Sequence, residues 1–95
     1  MKNVKINLNN WGNGTLVNDL DIEKVIEGKQ LNFSKEVSFQ EDEVFGTLKF
    51  FDIDIEFSEL DNSELDVLIQ SLIDVGANGS VKCNSGQSFL NEWFD

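Results

Sequence analysis

The chain contains no histidine, no arginine, no proline and no tyrosine, and one cysteine in 95 residues. Without histidine it lacks the side chain that most often moves protons near pH 7, and also the commonest metal ligand. Without arginine it has no bidentate clamp for phosphate or carboxylate. Its seven bases are all lysines: Lys2, Lys5, Lys24, Lys29, Lys35, Lys49 and Lys82. Cys83 stands alone, which rules out an intrachain disulfide or a cysteine metal cluster and suits a reducing compartment. No apolar run reaches 18 residues, and the opening MKNVKINLNN has no hydrophobic signal segment. These absences predict a soluble, cytoplasmic protein without cofactor or metal, and they argue against an enzyme.

What the chain has in excess is acid. Eighteen Asp and Glu give a formal net charge of −11, with a pI near 4.1. Such a chain is repelled by phosphate, so direct binding to nucleic acid or to an anionic membrane is excluded as its main business. The partner its charge fits is a basic protein surface, and large basic surfaces belong above all to nucleic-acid-binding proteins. Solubility alone is the plainer explanation of excess acid, but the charge here is clustered. Glu41 to Asp66 holds ten acids against one base, Lys49.

Within that stretch Phe51, Ile53, Ile55 and Phe57 alternate with Asp52, Asp54 and Glu56, the period of a strand with one buried and one wet face. Earlier segments alternate as well, with turns at Gly12-Asn13-Gly14, Gly28-Lys29 and Glu41-Asp42-Glu43. The pattern predicts an α+β domain spanning 1–95: an antiparallel four-stranded meander over about 3–10, 15–26, 30–40 and 44–57, a helix over about 62–75, and a short C-terminal strand and helix. Counting across the turns pairs Ile6 with Leu20, Val4 with Ile22, Ile26 with Leu31, Leu20 with Val37, Phe33 with Phe51, Leu31 with Ile53 and Phe39 with Phe45. A competing reading makes 19–27 a helix, with Leu20, Ile22, Val25 and Ile26 on one side and Asn18 or Asp19 as cap. Ser63 with Asp66 resembles a capping box, ahead of Leu65, Leu68, Ile69, Leu72 and Ile73 at helical spacing. Leu48 and Phe50 conflict with the acidic side of the fourth strand, and a bulge near Phe50-Phe51 or a covering helix would resolve them.

Those registers gather Asp19, Asp21, Glu23, Glu27, Glu36, Asp52, Asp54 and Glu56 on one outer face; Glu41, Asp42 and Glu43, in the connection between the third and fourth strands, are counted with the partner-binding acids. Acids two apart on a strand repeat at roughly 6.6 Å, a spacing that can imitate successive phosphates. Like charges placed opposite one another destabilise a sheet, a cost that binding would explain. Asp52-x-Asp54-x-Glu56 opens like a calcium loop, but Phe57 and Ser63 stand where such a loop needs Gly and Glu. Glycoside hydrolysis needs an acid in an apolar pocket, and these acids lie in solvated patterns. Trp11, Phe89, Trp93 and Phe94 are either lids on the core or interface anchors; Trp93 is the candidate contact.

The functional expectation is a small acidic inhibitor of a nucleic-acid-binding protein, acting through a phosphate-mimicking carboxylate surface. In size and charge it is similar to phage-borne inhibitors of host defence, anti-CRISPR proteins among them. An immunity protein against a basic nuclease toxin would use the same physics. An assembly protein, with acids for solubility and an aromatic tail for self-contact, is the third reading.

Overall fold

The computed structural model describes residues 2–11, 17–83 and 86–94. Five strands form one antiparallel sheet: β1 (Lys2–Asn9), β2 (Asn32–Asp42), β3 (Gly46–Leu60), β4 (Gly79–Cys83) and β5 (Gly86–Phe89), in the order β2-β3-β1-β4-β5. Two helices, α1 (Asp19–Ile26) and α2 (Asn62–Asp74), pack on one side, and a short 3-10 turn, Leu90–Glu92, follows β5. The architecture is the α+β arrangement the alternation predicts, with the 62–75 helix packed on the sheet.

The core follows directly from strand period. Val4, Ile6 and Leu8 of β1 and Phe51, Ile53, Ile55 and Phe57 of β3 all turn to the helix side and are buried. Against them α2 lays Leu65, Leu68, Ile69 and Leu72, one face of a 3.6-residue period. Its cap is Asp61, two residues earlier than the Ser63 box: Asp61 Oδ1 accepts from the Glu64 backbone N–H at 2.8 Å and from Ser63 Oγ at 2.8 Å. Glycine is required at Gly79, where a Cβ would collide with the Asn7 carbonyl of β1.

Where a strand is expected over 15–26, residues 19–26 form α1, the competing helical reading, and 15–16 lie outside the described residues. Asn18 Oδ1 caps it through the Leu20 N–H at 3.0 Å. Ile22 and Ile26, four apart, are buried while Leu20 is 51% exposed, whereas an alternating strand would bury Leu20 and Ile22 together. Eight residues are too few for an independent helix; tertiary contacts hold it. The pairings of Ile6 with Leu20, Val4 with Ile22, Ile26 with Leu31 and Leu20 with Val37 are therefore not formed. β3 takes the place beside β1 instead, with Ile6 opposite Ile55 and Leu8 opposite Ile53. Gly28, at φ +78°, ends α1 rather than opening a hairpin. The predicted loop at 12–14 lies outside the described residues.

The third and fourth expected strands are β2 and β3, paired four residues out from the predicted register. Phe33 faces Ile55, Val37 faces Phe51, Phe39 faces Lys49 and Asp42 faces Gly46. The turn falls two residues later, over 43–45, because Asp42 Oδ1 accepts from both Val44 N–H and Phe45 N–H, and Gly46 takes φ +79°. An even shift leaves every side chain on its predicted face. At the C-terminal end Phe89 closes β5 rather than opening a helix.

Candidate protein-binding face

The side of the sheet away from the helices carries three cross-strand rows. Strand pairing sets Glu36, Asp52 and Asn9 in one row; Ser34, Asp54, Asn7 and Ser80 in the next; Asn32, Glu56, Lys5 and Lys82 in the third. Glu36, Asp54 and Glu56 are exposed and Asp52 is half-buried. Two lysines border the acids at one end, and Lys5 Nζ lies 3.8 Å from Glu56 with both side chains largely in water, a pair worth little.

An asparagine network stiffens this face. Asn7 Nδ2 donates to Asp52 Oδ1 at 2.6 Å and to Asp54 Oδ1 at 2.9 Å, holding the two carboxylates on either side of one amide. Asn9 Nδ2 donates to Asn7 Oδ1 at 3.0 Å, which fixes the orientation of that amide. Asn10 then reaches β3, donating to the Lys49 carbonyl and accepting from the Phe51 N–H, both at 2.9 Å. Trp11, next in the chain, stacks on Phe50 and remains 51% exposed. The aromatic pair sits one row beyond Glu36 and Asp52, since Phe50 faces Ser38.

This stacking is how the conflict at Phe50 is resolved; Leu48, opposite Gln40, stays half-buried on the same face. Pairing of β2 with β3 runs without a bulge from Asn32 to Asp42, and among the described residues no helix lies over Phe50; Trp11 covers it. The continued odd-numbered parity of Asn7, Asn9 and Trp11 was the signal in the sequence. The network itself had no such signal, because Asn7 and Asn9 meet Asp52 and Asp54 only once β1 is known to pair with β3.

The predicted acids divide among different surfaces. Glu36, Asp52, Asp54 and Glu56 share the face just described. Asp19 and Glu23 lie on the opposite side of the sheet, on α1. Asp19 is 2% exposed and receives Lys35 Nζ and Lys49 Nζ at 2.9 Å each, while Glu23 pairs with Lys35 at 3.1 Å. Burial pushes the Asp19 carboxyl up, but the hydrogen bonds and charges of the two lysines outweigh it and hold it below the usual carboxylate range. The hydrogen bonds of Asp19 and Glu23 raise Lys35 in turn. Asp21 is exposed on α1, away from the sheet face. Glu41, Asp42 and Glu43 mark the hairpin tip, where the Phe45 and Val44 N–H groups lower Asp42. Trp93 packs half-buried against the core and donates Nε1–H to Asp66 at 2.9 Å. It is a lid rather than a free anchor, whereas Phe89 and Phe94 are exposed.

Acids also line the exposed side of α2 at Glu64, Asp66 and Asp74. A groove of about 560 Å³ runs there between α1 and α2, floored by Phe57, Leu60 and Leu68 with Lys29 and Glu64 at its lip. Among the described residues no group of three His, Cys, Asp or Glu is placed to hold a metal ion, and no helix is long and apolar enough to cross a membrane. Comparison with known proteins finds no matching family model, no matching curated protein and no matching solved structure.

Proposed function

We propose that this protein is a small cytoplasmic inhibitor that binds the basic surface of a nucleic-acid-binding protein, with carboxylates standing in for phosphates. The observation that carries the reading is the pair Asp52 and Asp54, oriented by the Asn7 amide, which shares with Glu36 and Glu56 a sheet face that no described helix covers. Two of the seven lysines, Lys35 and Lys49, are taken up by Asp19 and Glu23 on the other side of the sheet, leaving Lys5 and Lys82, both exposed and at one end, against Glu36, Asp52, Asp54 and Glu56 on this face. Trp11 over Phe50 adds an exposed aromatic surface beside the acids, suited to a lysine or arginine side chain of the partner. The same face would serve a phage-borne inhibitor of a host defence nuclease or an immunity protein against a nuclease toxin.

The test is affinity capture from nuclease-treated lysate, followed by competition of the captured protein with its nucleic acid. Binding should weaken as salt rises. Asp52→Asn, Asp54→Asn and Glu56→Gln together should lower affinity at least tenfold, which is about 1.4 kcal/mol. The charge-matched set Asp21→Asn, Glu27→Gln and Glu64→Gln should have a much smaller effect. Equal losses from both sets would reduce the acids to a general charge effect, and binding unaffected by nucleic acid would end the mimicry reading.

A further inference from the structure

The two edges of the sheet differ in how they are protected. β5 is four residues long and gives way at once to the 3-10 turn. β2 is eleven residues long, its register with β3 is unbroken, and none of its residues is buried. Natural edge strands avoid pairing with other chains by being short, by bulging, or by carrying proline or an outward lysine. β2 has none of these, and its charged side chains, Lys35, Glu36, Glu41 and Asp42, are its one remaining guard. The chain has no proline, and the one lysine of β2, Lys35, is drawn onto Asp19 and Glu23 of α1. Among the described residues nothing pairs with the outer side of β2, which therefore presents free backbone donors and acceptors along its length.

We propose that two copies of this chain pair antiparallel along β2, with Ser38 opposite Ser38, to form one ten-stranded sheet. Side chains that face each other across a two-fold axis normal to the sheet must share a face, so only registers centred on a residue are allowed. Centring on Ser38 sets Val37 against Phe39 of the second copy, Lys35 against Glu41, Glu36 against Gln40 and Ser34 against Asp42. No acid meets an acid. The two Val37–Phe39 contacts bring four apolar side chains together around the axis, and in the single chain Val37 is 39% and Phe39 64% exposed. Neighbouring registers are worse. Centring on Glu36 opposes that acid to itself, centring on Val37 sets Lys35 against Phe39, and centring on Phe39 sets Glu36 against Asp42.

An edge-to-edge contact of this kind is small, at the lower end of protein interfaces, and corresponds to a dissociation constant of about 1–100 μM. Each copy carries −11, so long-range repulsion opposes association and added salt strengthens it. That is the reverse of the salt dependence expected for a basic partner, so the two proposals fail separately.

Sedimentation equilibrium over about 5–500 μM, at low and at high salt, tests the dimer. The wild type should reach twice its monomer mass, at lower concentration when salt is added. Val37→Glu with Phe39→Glu should remain monomeric, whereas Val37→Lys with Phe39→Glu should dimerise again, since lysine then faces glutamate; circular dichroism checks that both variants are folded. On a Cys83→Ser background, Ser38→Cys should cross-link two chains on oxidation, while Gln40→Cys, which faces Glu36, should not. A wild type that stays monomeric at high salt overturns the proposal. So does a dimer indifferent to the Val37 and Phe39 changes, or equal cross-linking at positions 38 and 40.

Discussion

Trp11 stacks on Phe50 with ring centroids 4.7 Å apart and planes 12° from parallel. The contact depends on a residue in neither ring. Asn10, past the end of β1, brackets β3 with its side-chain amide, donating to the Lys49 carbonyl and accepting from the Phe51 N–H as a strand's own peptide would. The side chain extends the ladder by one step and delivers Trp11 to the row of Phe50.

Replacing Asn10 with alanine leaves the Phe51 N–H and the Lys49 carbonyl unpaired at a partly buried position. The expected loss is about 1–3 kcal/mol. Trp11→Ala removes the aromatic pair alone, worth about 0.5–1.5 kcal/mol beyond its buried area. Urea denaturation followed by circular dichroism should rank Asn10→Ala as the more damaging change. The reverse order would mean that the stack, not the bracket, holds the end of β1 in place.

Glu36 lies directly opposite Asp52, a like-charge pair across two strands. Glu36→Lys converts it to an opposite-charge pair and should raise stability by about 0.2–1 kcal/mol at low salt, with the gain shrinking as salt is added. The same change should weaken capture of a basic partner. A variant both more stable and equally competent to bind would remove Glu36 from the site.

The Asp19 cluster sets the pH limits of α1. A carboxyl whose folded pKa lies below its ordinary 3.8 contributes stability that is present above that value and lost as pH falls through the folded pKa. Lys35 is raised above its ordinary 10.5, so its contribution is complete below that value and lost as pH climbs through the higher folded pKa. Asp19→Asn should therefore cost a constant amount between about pH 5 and pH 9, and the gap to wild type should close at either extreme. Its size is expected to be about 1–3 kcal/mol. That is below the cost of breaking a fully buried pair, because the Lys35 and Lys49 side chains are 22% and 44% exposed. Thermal melts across pH give the profile, and a gap widening toward acid would contradict it.

Where one face of a segment was buried throughout, the sequence was legible. Phe51, Ile53, Ile55 and Phe57 declared β3, and Leu65, Leu68, Ile69 and Leu72 declared α2, because burial repeats the local period. α1 was ambiguous because Leu20, Ile22 and Ile26 satisfy both periods over so short a run. The choice is made by Asp19 meeting Lys35 and Lys49, 16 and 30 residues away, which no local pattern reveals. The register of β2 on β3 turned on which atoms Asp42 caps. Of the candidate acids, Glu36, Asp52, Asp54 and Glu56 kept their shared face because the register error was even, while Asp19 and Glu23 left it with the misassigned strand.

β1 meets β3 only from Asp52 onward and Asn10 brackets Lys49 to Phe51, so among the described residues Gly46 to Leu48 are paired by β2 alone and carry the hairpin roughly 10 Å beyond the body at about 3.3 Å per residue. A two-stranded arm of that length is marginal in water. Its amide protons should exchange by local opening that starts at Val44 and Phe45 and halts at the Asn10 bracket, and native-state hydrogen exchange should find them protected by far less than the free energy needed to unfold the core. The molecule thus has two levels of cooperativity: a body that melts as a unit, and an arm that breathes within it.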